Sequence, residues 1–196
     1  GPSLSVTATD PTSGNLQTPD SGGSDTQEYA GAFSWTPTNG ADGAAMGAVS
    51  YELSVSSAGV DSGLNTSTGA NIYLWNVGGT IVGSTSTTLP TDTTGAVFTL
   101  GVSSSGTVTL QQNSAIYHDG EAESGSAPGF DGTFADDIQT LADGLVNLTA
   151  TRTITDNDGD SYTASTSIDL GGNVSFTDVG PSLSVTATDP TSGNLQ

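Results

Sequence analysis

An all-β fold, an antiparallel β-sandwich, is what this sequence predicts, on three observations. Apolar and polar residues alternate over short runs, as in half-buried strands. Gly, Asp and Asn interrupt those runs at short intervals. The bulk of the chain is Ser, Thr, Gly and Asp, residues that favour turns and strand surfaces over helices.

The elements follow in order. Leu4, Val6 and Ala8 share one face of a first strand over 3–10, and a second strand covers 28–36. Tyr51, Leu53 and Val55 do the same further on, then Ile72 and Leu74. Phe98, Leu100 and Val102 lead through Ser104-Ser105-Gly106 to Val108 and Leu110, a hairpin pattern. Strands over 147–155 and 161–170 come next, with Tyr162, Ala164, Ile168 and Leu170 in one parity, and Val174 with Phe176 follow Gly171-Gly172. Roughly ten strands with frequent turns suit a sandwich. Residues 136–146 break the alternation: Ile138, Leu141 and Leu145 stand at helical spacing behind Asp136 and Asp137, which predicts one short helix near 136–143. Residues 11–27 and 119–135, rich in Gly, Ser, Pro and acid, are expected to be long loops.

Charge narrows the partners. The chain has 21 Asp and Glu against a single Arg or Lys, a formal net charge of -20. Arg152 alone cannot neutralise phosphates, so neither nucleic acid nor an anionic membrane surface is expected as a partner. The absence of cysteine excludes disulfides, thiolate metal sites and Cys nucleophiles. No apolar run approaches the ~20 residues that span a bilayer. Leu, Ile, Val and Phe supply only 38 of the 196 residues, which with one-sided charge sits at the edge of disorder. Something besides a core is needed to stabilise the chain.

The segment GPSLSVTATDPTSGNLQ occurs at residues 1–17 and again unchanged at 180–196. The chain is therefore expected to hold one unit of a tandem array, 1–179, and the first strand of the next, 180–196.

The sharpest local motif is Asp156-Asn157-Asp158-Gly159-Asp160, between two predicted strands. Three carboxylates at alternate positions around a Gly suit one hard cation, and calcium accepts six to eight oxygens in flexible geometry. The spacing is not that of an EF-hand, since Ser167 stands where a bidentate Glu is expected. If the chain reverses at Gly171-Gly172, Asp178 returns to this cluster and the metal ligands sit at the junction with the next unit. The same counting puts Asp42, in Gly40-Ala41-Asp42-Gly43-Ala44, at the opposite pole, facing the preceding unit's cluster. Asp42, Asp156, Asp158, Asp160 and Asp178 are the candidate metal ligands, with Ca2+ as the cofactor.

Catalysis finds little support. His118 is the sole histidine and precedes Asp119, which does not by itself make a triad. There is no G-x-S-x-G elbow, and without Lys there is no Walker loop. Trp35, Tyr73 and Trp75 would be needed as a stacking platform if the chain bound sugars, and buried aromatics are the commoner use of such residues.

These motifs resemble, in order, an extender repeat of the giant bacterial repeats-in-toxin adhesins exported by type I secretion. The resemblance rests on Gly40-Ala41-Asp42-Gly43, Tyr51-Glu52-Leu53-Ser54-Val55 with Asp61-Ser62-Gly63-Leu64, Ala96-Val97-Phe98-Thr99-Leu100, and Gly106-Thr107-Val108-Thr109-Leu110 with Ile116-Tyr117-His118. It continues through Thr155 to Asp160 and through Phe176-Thr177-Asp178-Val179-Gly180-Pro181-Ser182. Val179 departs from it, where the family often has a second Asp. The resemblance implies an immunoglobulin-like or related sandwich, secreted and held on the bacterial surface through other parts of its parent. It implies a calcium-stiffened spacer that carries ligand-binding domains outward for attachment and biofilm formation. The expected partners are adjacent repeats of the same chain, with no small-molecule substrate, no direct membrane contact and a monomeric fragment. A calcium-dependent carbohydrate-binding module is the alternative.

Overall fold

The computed structural model describes residues 1–11, 16–118, 138–179 and 184–187. Among them the chain forms β1 (Ser3–Ala8), β2 (Leu16–Pro19), β3 (Gly23–Glu28), β4 (Phe33–Thr38), β5 (Ala44–Met46), β6 (Ser50–Val55), β7 (Val60–Asn65), β8 (Asn71–Val77) and β9 (Thr80–Ser84). Then come β10 (Phe98–Val102), β11 (Thr107–Gln112), β12 (Ile138–Thr140), β13 (Val146–Asp156), β14 (Ser161–Asp169) and β15 (Val174–Thr177). A single 3₁₀ turn, Ala30–Ala32, leads into β4. The all-β sandwich expected from the alternation is present.

One layer is a six-stranded antiparallel sheet in the order β3-β11-β10-β9-β8-β7. It contains the anticipated hairpin, with Leu100 opposite Leu110 and Val102 opposite Val108. The other layer is built around β13, which pairs with β14 on one side and with β5 and β6 on the other. It continues into the three-stranded set β12-β15-β2. Leu53, Leu74, Ile81, Leu100, Leu110 and Leu148 are fully buried between the layers, each such side chain contributing ~1.5–3 kcal/mol. The Phe98 and Phe176 rings meet at 5.0 Å and tie the six-stranded sheet to β15.

Three expectations are corrected. No helix occupies 138–143. Ile138–Thr140 is a strand antiparallel to β15, and Leu141 is buried with its amide donating to the Val174 carbonyl. The edge of β15 offers hydrogen bonds that an isolated three-residue apolar spacing cannot match, so pairing overrides the local pattern; residues 136 and 137 lie outside the described ones. The segment 11–27 is not a long loop. It holds β2, whose Leu16 and Thr18 are buried, and β3, a strand without a single apolar residue that is held by its ladder to β11. Residues 12–15, and the loop expected at 119–135, lie outside the described residues.

The third correction concerns direction. Gly171-Gly172 does not send the chain back along β14: β15 pairs antiparallel with β12 and parallel with β2. β1 and β14 run side by side in one sense. Gly1 lies against Asp160 at their start, and Asp169 N donates to Asp10 Oδ1, 3.0 Å, at their finish. The nine residues of β14 carry the chain ~30 Å from the turn at its start, and β15 then delivers Asp178 to the neighbourhood of Pro19 and Asp20.

Candidate metal centre

The turn that joins β13 to β14 is closed by its own backbone. Asp156 N donates to the Asp160 carbonyl at 3.0 Å, and Gly159 N to the Asp156 carbonyl at 3.2 Å. Gly159 sits at φ 98°, a conformation that only glycine adopts without strain. Asp160 N donates to Asp156 Oδ1 at 2.9 Å. The result brings one carboxylate oxygen from each of Asp156, Asp158 and Asp160 within 4.8 Å of one another. Asp156 is buried, whereas Asp158 and Asp160 face solvent.

The three charges are not equivalent. A hydrogen bond between the Asp156 and Asp158 carboxyls pushes the former above the usual carboxylate range and holds the latter below it. Like charges this close repel one another. A hard dication would offset that repulsion across all three groups, and the donor set of carboxylate oxygens without nitrogen or sulfur suits calcium.

The ligand set expected from sequence is rearranged. Asp42 is not at the opposite pole. Its carbonyl accepts a hydrogen bond from Asn157 Nδ2, and β5, two residues further on, pairs with the end of β13, Ala44 opposite Asp156. Gly40 and Gly1 complete this end: a Cβ on Gly40 would stand 3.5 Å from the Gly1 carbonyl carbon and 3.7 Å from Asp156 Oδ2. Asp178 is the residue left out. It follows Thr177, whose carbonyl takes the Asp20 amide at 3.0 Å, and Asp20 in turn accepts from Gln112 Nε2 at 2.7 Å and Ile116 N at 3.1 Å. The carboxylate turn therefore lies at the N-terminal end of the unit and Asp178 at the other. Sequence spacing found the cluster and missed its neighbours Gly1 and Gly40, which carry no signal without the fold.

Elsewhere, His118 Nε2 lies 3.3 Å from Asp20 Oδ2, joining the strand-end network rather than a nucleophile. Trp75 is 9% exposed and its Nε1 donates to the Ser86 carbonyl at 3.1 Å. The ring lies over Gly59, where a Cβ would meet it at 2.6 Å. Trp35 is half-buried opposite Val6. Of the aromatic residues considered as a stacking platform, Trp75 is thus covered, Trp35 is half-buried against the core, and Tyr73 is half-buried on the parity of β8 opposite to the core residues Ile72 and Leu74. Among the described residues, no helix is long and apolar enough to cross a membrane.

No curated protein and no solved structure matches the chain. The model of one protein family, a domain of unknown function (DUF5801), matches residues 5–171, and the chain belongs to that family.

Proposed function

We propose that the chain is a non-catalytic spacer repeat of a secreted bacterial surface adhesin, in which calcium stiffens the joints between consecutive units and the array projects ligand-binding domains from the outer membrane. The observation that carries this reading is the position of the carboxylate turn beside Gly1. Residues 180–196 repeat residues 1–17, so in an array Gly180 of one unit is Gly1 of the next. Asp178 then stands two residues before the next unit's Gly1, within about 7 Å along the chain. The cluster of Asp156, Asp158 and Asp160, with the Asp42 carbonyl nearby, meets the Asp178 of the unit before it. Calcium shared across that joint turns repulsion between carboxylates into common coordination. The linker then loses the freedom that Gly180 gives it, while Pro181 already restricts its predecessor. Repetition of one unit supports a mechanical task, since copies add length without adding specificity.

Small-angle scattering on a two-unit protein tests this. The pair is extended in calcium and more variable in chelator, and Asp158→Asn with Asp160→Asn in the second unit removes the difference. Asp178→Asn in the first unit has the same effect, whereas Asp178→Asn in the second has none. Equal dimensions and flexibility in both buffers would overturn the clamp, and sensitivity to the second unit's Asp178 would overturn its placement between units.

A further inference from the structure

Two inward-facing strand positions hold polar side chains where the alternation calls for apolar ones. Leu16 and Thr18 are the buried pair of β2, and Val108, Leu110 and Gln112 the buried set of β11. Thr18 and Gln112 are each 1% exposed, and they meet: Thr18 Oγ1 donates to Gln112 Oε1 at 2.8 Å. The amide nitrogen Nε2 donates to Asp20 Oδ1 at 2.7 Å and to the Ser114 carbonyl at 3.1 Å. Two acceptors at the nitrogen and a hydroxyl at the oxygen fix the orientation of this amide, since a flipped one would set oxygen against oxygen twice. The second oxygen of Asp20 lies 3.3 Å from His118 Nε2, and that imidazole is 5% exposed. An alcohol, a carboxamide, a carboxylate and an imidazole therefore stand in consecutive contact, largely shielded from water.

We propose that this is a self-modifying site, at which the Thr18 hydroxyl displaces ammonia from the Gln112 carboxamide and leaves an ester between β2 and β11. The carbonyl bond adds only ~1.2 Å to the hydrogen bond, so Thr18 Oγ1 stands no farther than ~4 Å from Gln112 Cδ, near the separation of an attacking pair. As the Oγ1–Cδ bond forms, the hydroxyl proton passes to Asp20 Oδ1. As the Cδ–Nε2 bond breaks, Asp20 gives that proton to the nitrogen, which departs as ammonia. The step needs no oxidant and no second substrate, and it occurs once per chain. Asp20 touches the leaving nitrogen and is a catalytic residue, whereas His118 is a positioning residue that holds the carboxylate by its other oxygen. Burial keeps water from competing with Thr18 and from hydrolysing the ester. β2 and β11 belong to different sheets, so the ester ties the layers together between residues 94 apart in the chain. It restricts the unfolded state as a disulfide of that span does.

Mass spectrometry of the intact 196-residue chain tests this. After folding, the chain is lighter by one ammonia, and proteolysis releases a peptide holding Thr18 joined to one holding Gln112 by a bond that mild alkali cleaves. Thr18→Val keeps its full mass and melts ~10–20 °C lower. Asp20→Asn slows the loss of ammonia at least ~100-fold. His118→Asn slows it by a smaller factor and leaves the melting of the Thr18→Val chain, in which no link forms, unchanged. A folded parent that stays at full mass overturns the proposal, and that measurement requires no variant to fold. Ammonia lost elsewhere, as by cyclisation of Asn39 onto Gly40, overturns it equally and is recognised by persisting in Thr18→Val. If His118→Asn also lowers the melting of the Thr18→Val chain, His118 is structural and its part in the step falls.

Discussion

Gly83 is the position where one added methyl probes the join between the two layers. A Cβ there would stand 2.4 Å from Phe98 Cε1 and 2.7 Å from Cδ1 and Cζ, against the ~3.5–4.0 Å of a relaxed carbon contact. The Phe98 ring would need to withdraw by more than an ångström, and it has nowhere to go: it is fully buried and already meets Phe176 at 5.0 Å. Overpacking of this kind costs ~1–3 kcal/mol. Replacing Gly also removes unfolded-state entropy, worth ~0.4–1 kcal/mol in the opposite direction. Gly83→Ala is therefore expected to lower the unfolding free energy by about 1–2 kcal/mol in urea titrations, with the slope unchanged. Phe98→Leu in the same chain makes room for the methyl, so the double variant loses at least about 1 kcal/mol less than the two single losses added together. A Gly83→Ala protein as stable as the parent, or strict additivity with Phe98→Leu, would refute the packing argument.

Two further outcomes follow from buried aromatics. Trp75→Ala is expected to cost ~3–5 kcal/mol, seen as a fall in melting temperature of ~6–20 °C, because the ring fills the space over Gly59; a loss below ~1 kcal/mol would show that the ring is not part of the core. Tyr29 is pushed up to about 12 from 10.0 by burial and then by the Asp25 charge. Between those values the native state keeps a proton that the unfolded chain has lost, so stability falls as pH rises through that interval, by less than ~1.4 kcal/mol per unit. Tyr29→Phe flattens this alkaline slope, and an unchanged slope in unfolding measured at several pH values would count against the assignment.

The parts of the fold that sequence made legible are those where side-chain burial alone decides structure. Leu148, Ala150 and Ile154 face one way along β13 and are buried as their alternation requires. β3 was not legible, because Gly23-Ser24-Asp25-Thr26-Gln27-Glu28 has no apolar face and exists as a strand through its partner β11. Ile138 and Leu141 suggested a helix because spacing is ambiguous over so few residues, and a free strand edge decided the matter. The candidate site divides the same way. Alternate carboxylates around Gly159 mark locally a cluster that could hold a cation, but which end of the chain's fold they occupy depends on whether β15 returns along β14, and that is fixed by distant partners in β2 and β12.

The parallel pairing of β2 with β15 bears on how such a unit carries load. β2 leads away from the N-terminal strand and β15 leads out to Asp178, both in the same sense, with Leu16 N bonded to the Asn173 carbonyl and Asp20 N to that of Thr177. Tension applied at Gly1 and at Val179 drags these two strands past each other lengthwise. Their hydrogen bonds then resist together in shear, rather than parting one at a time as a peeled hairpin does. In an array such as the one proposed, one domain would yield by the failure of a whole ladder while its neighbours stay folded.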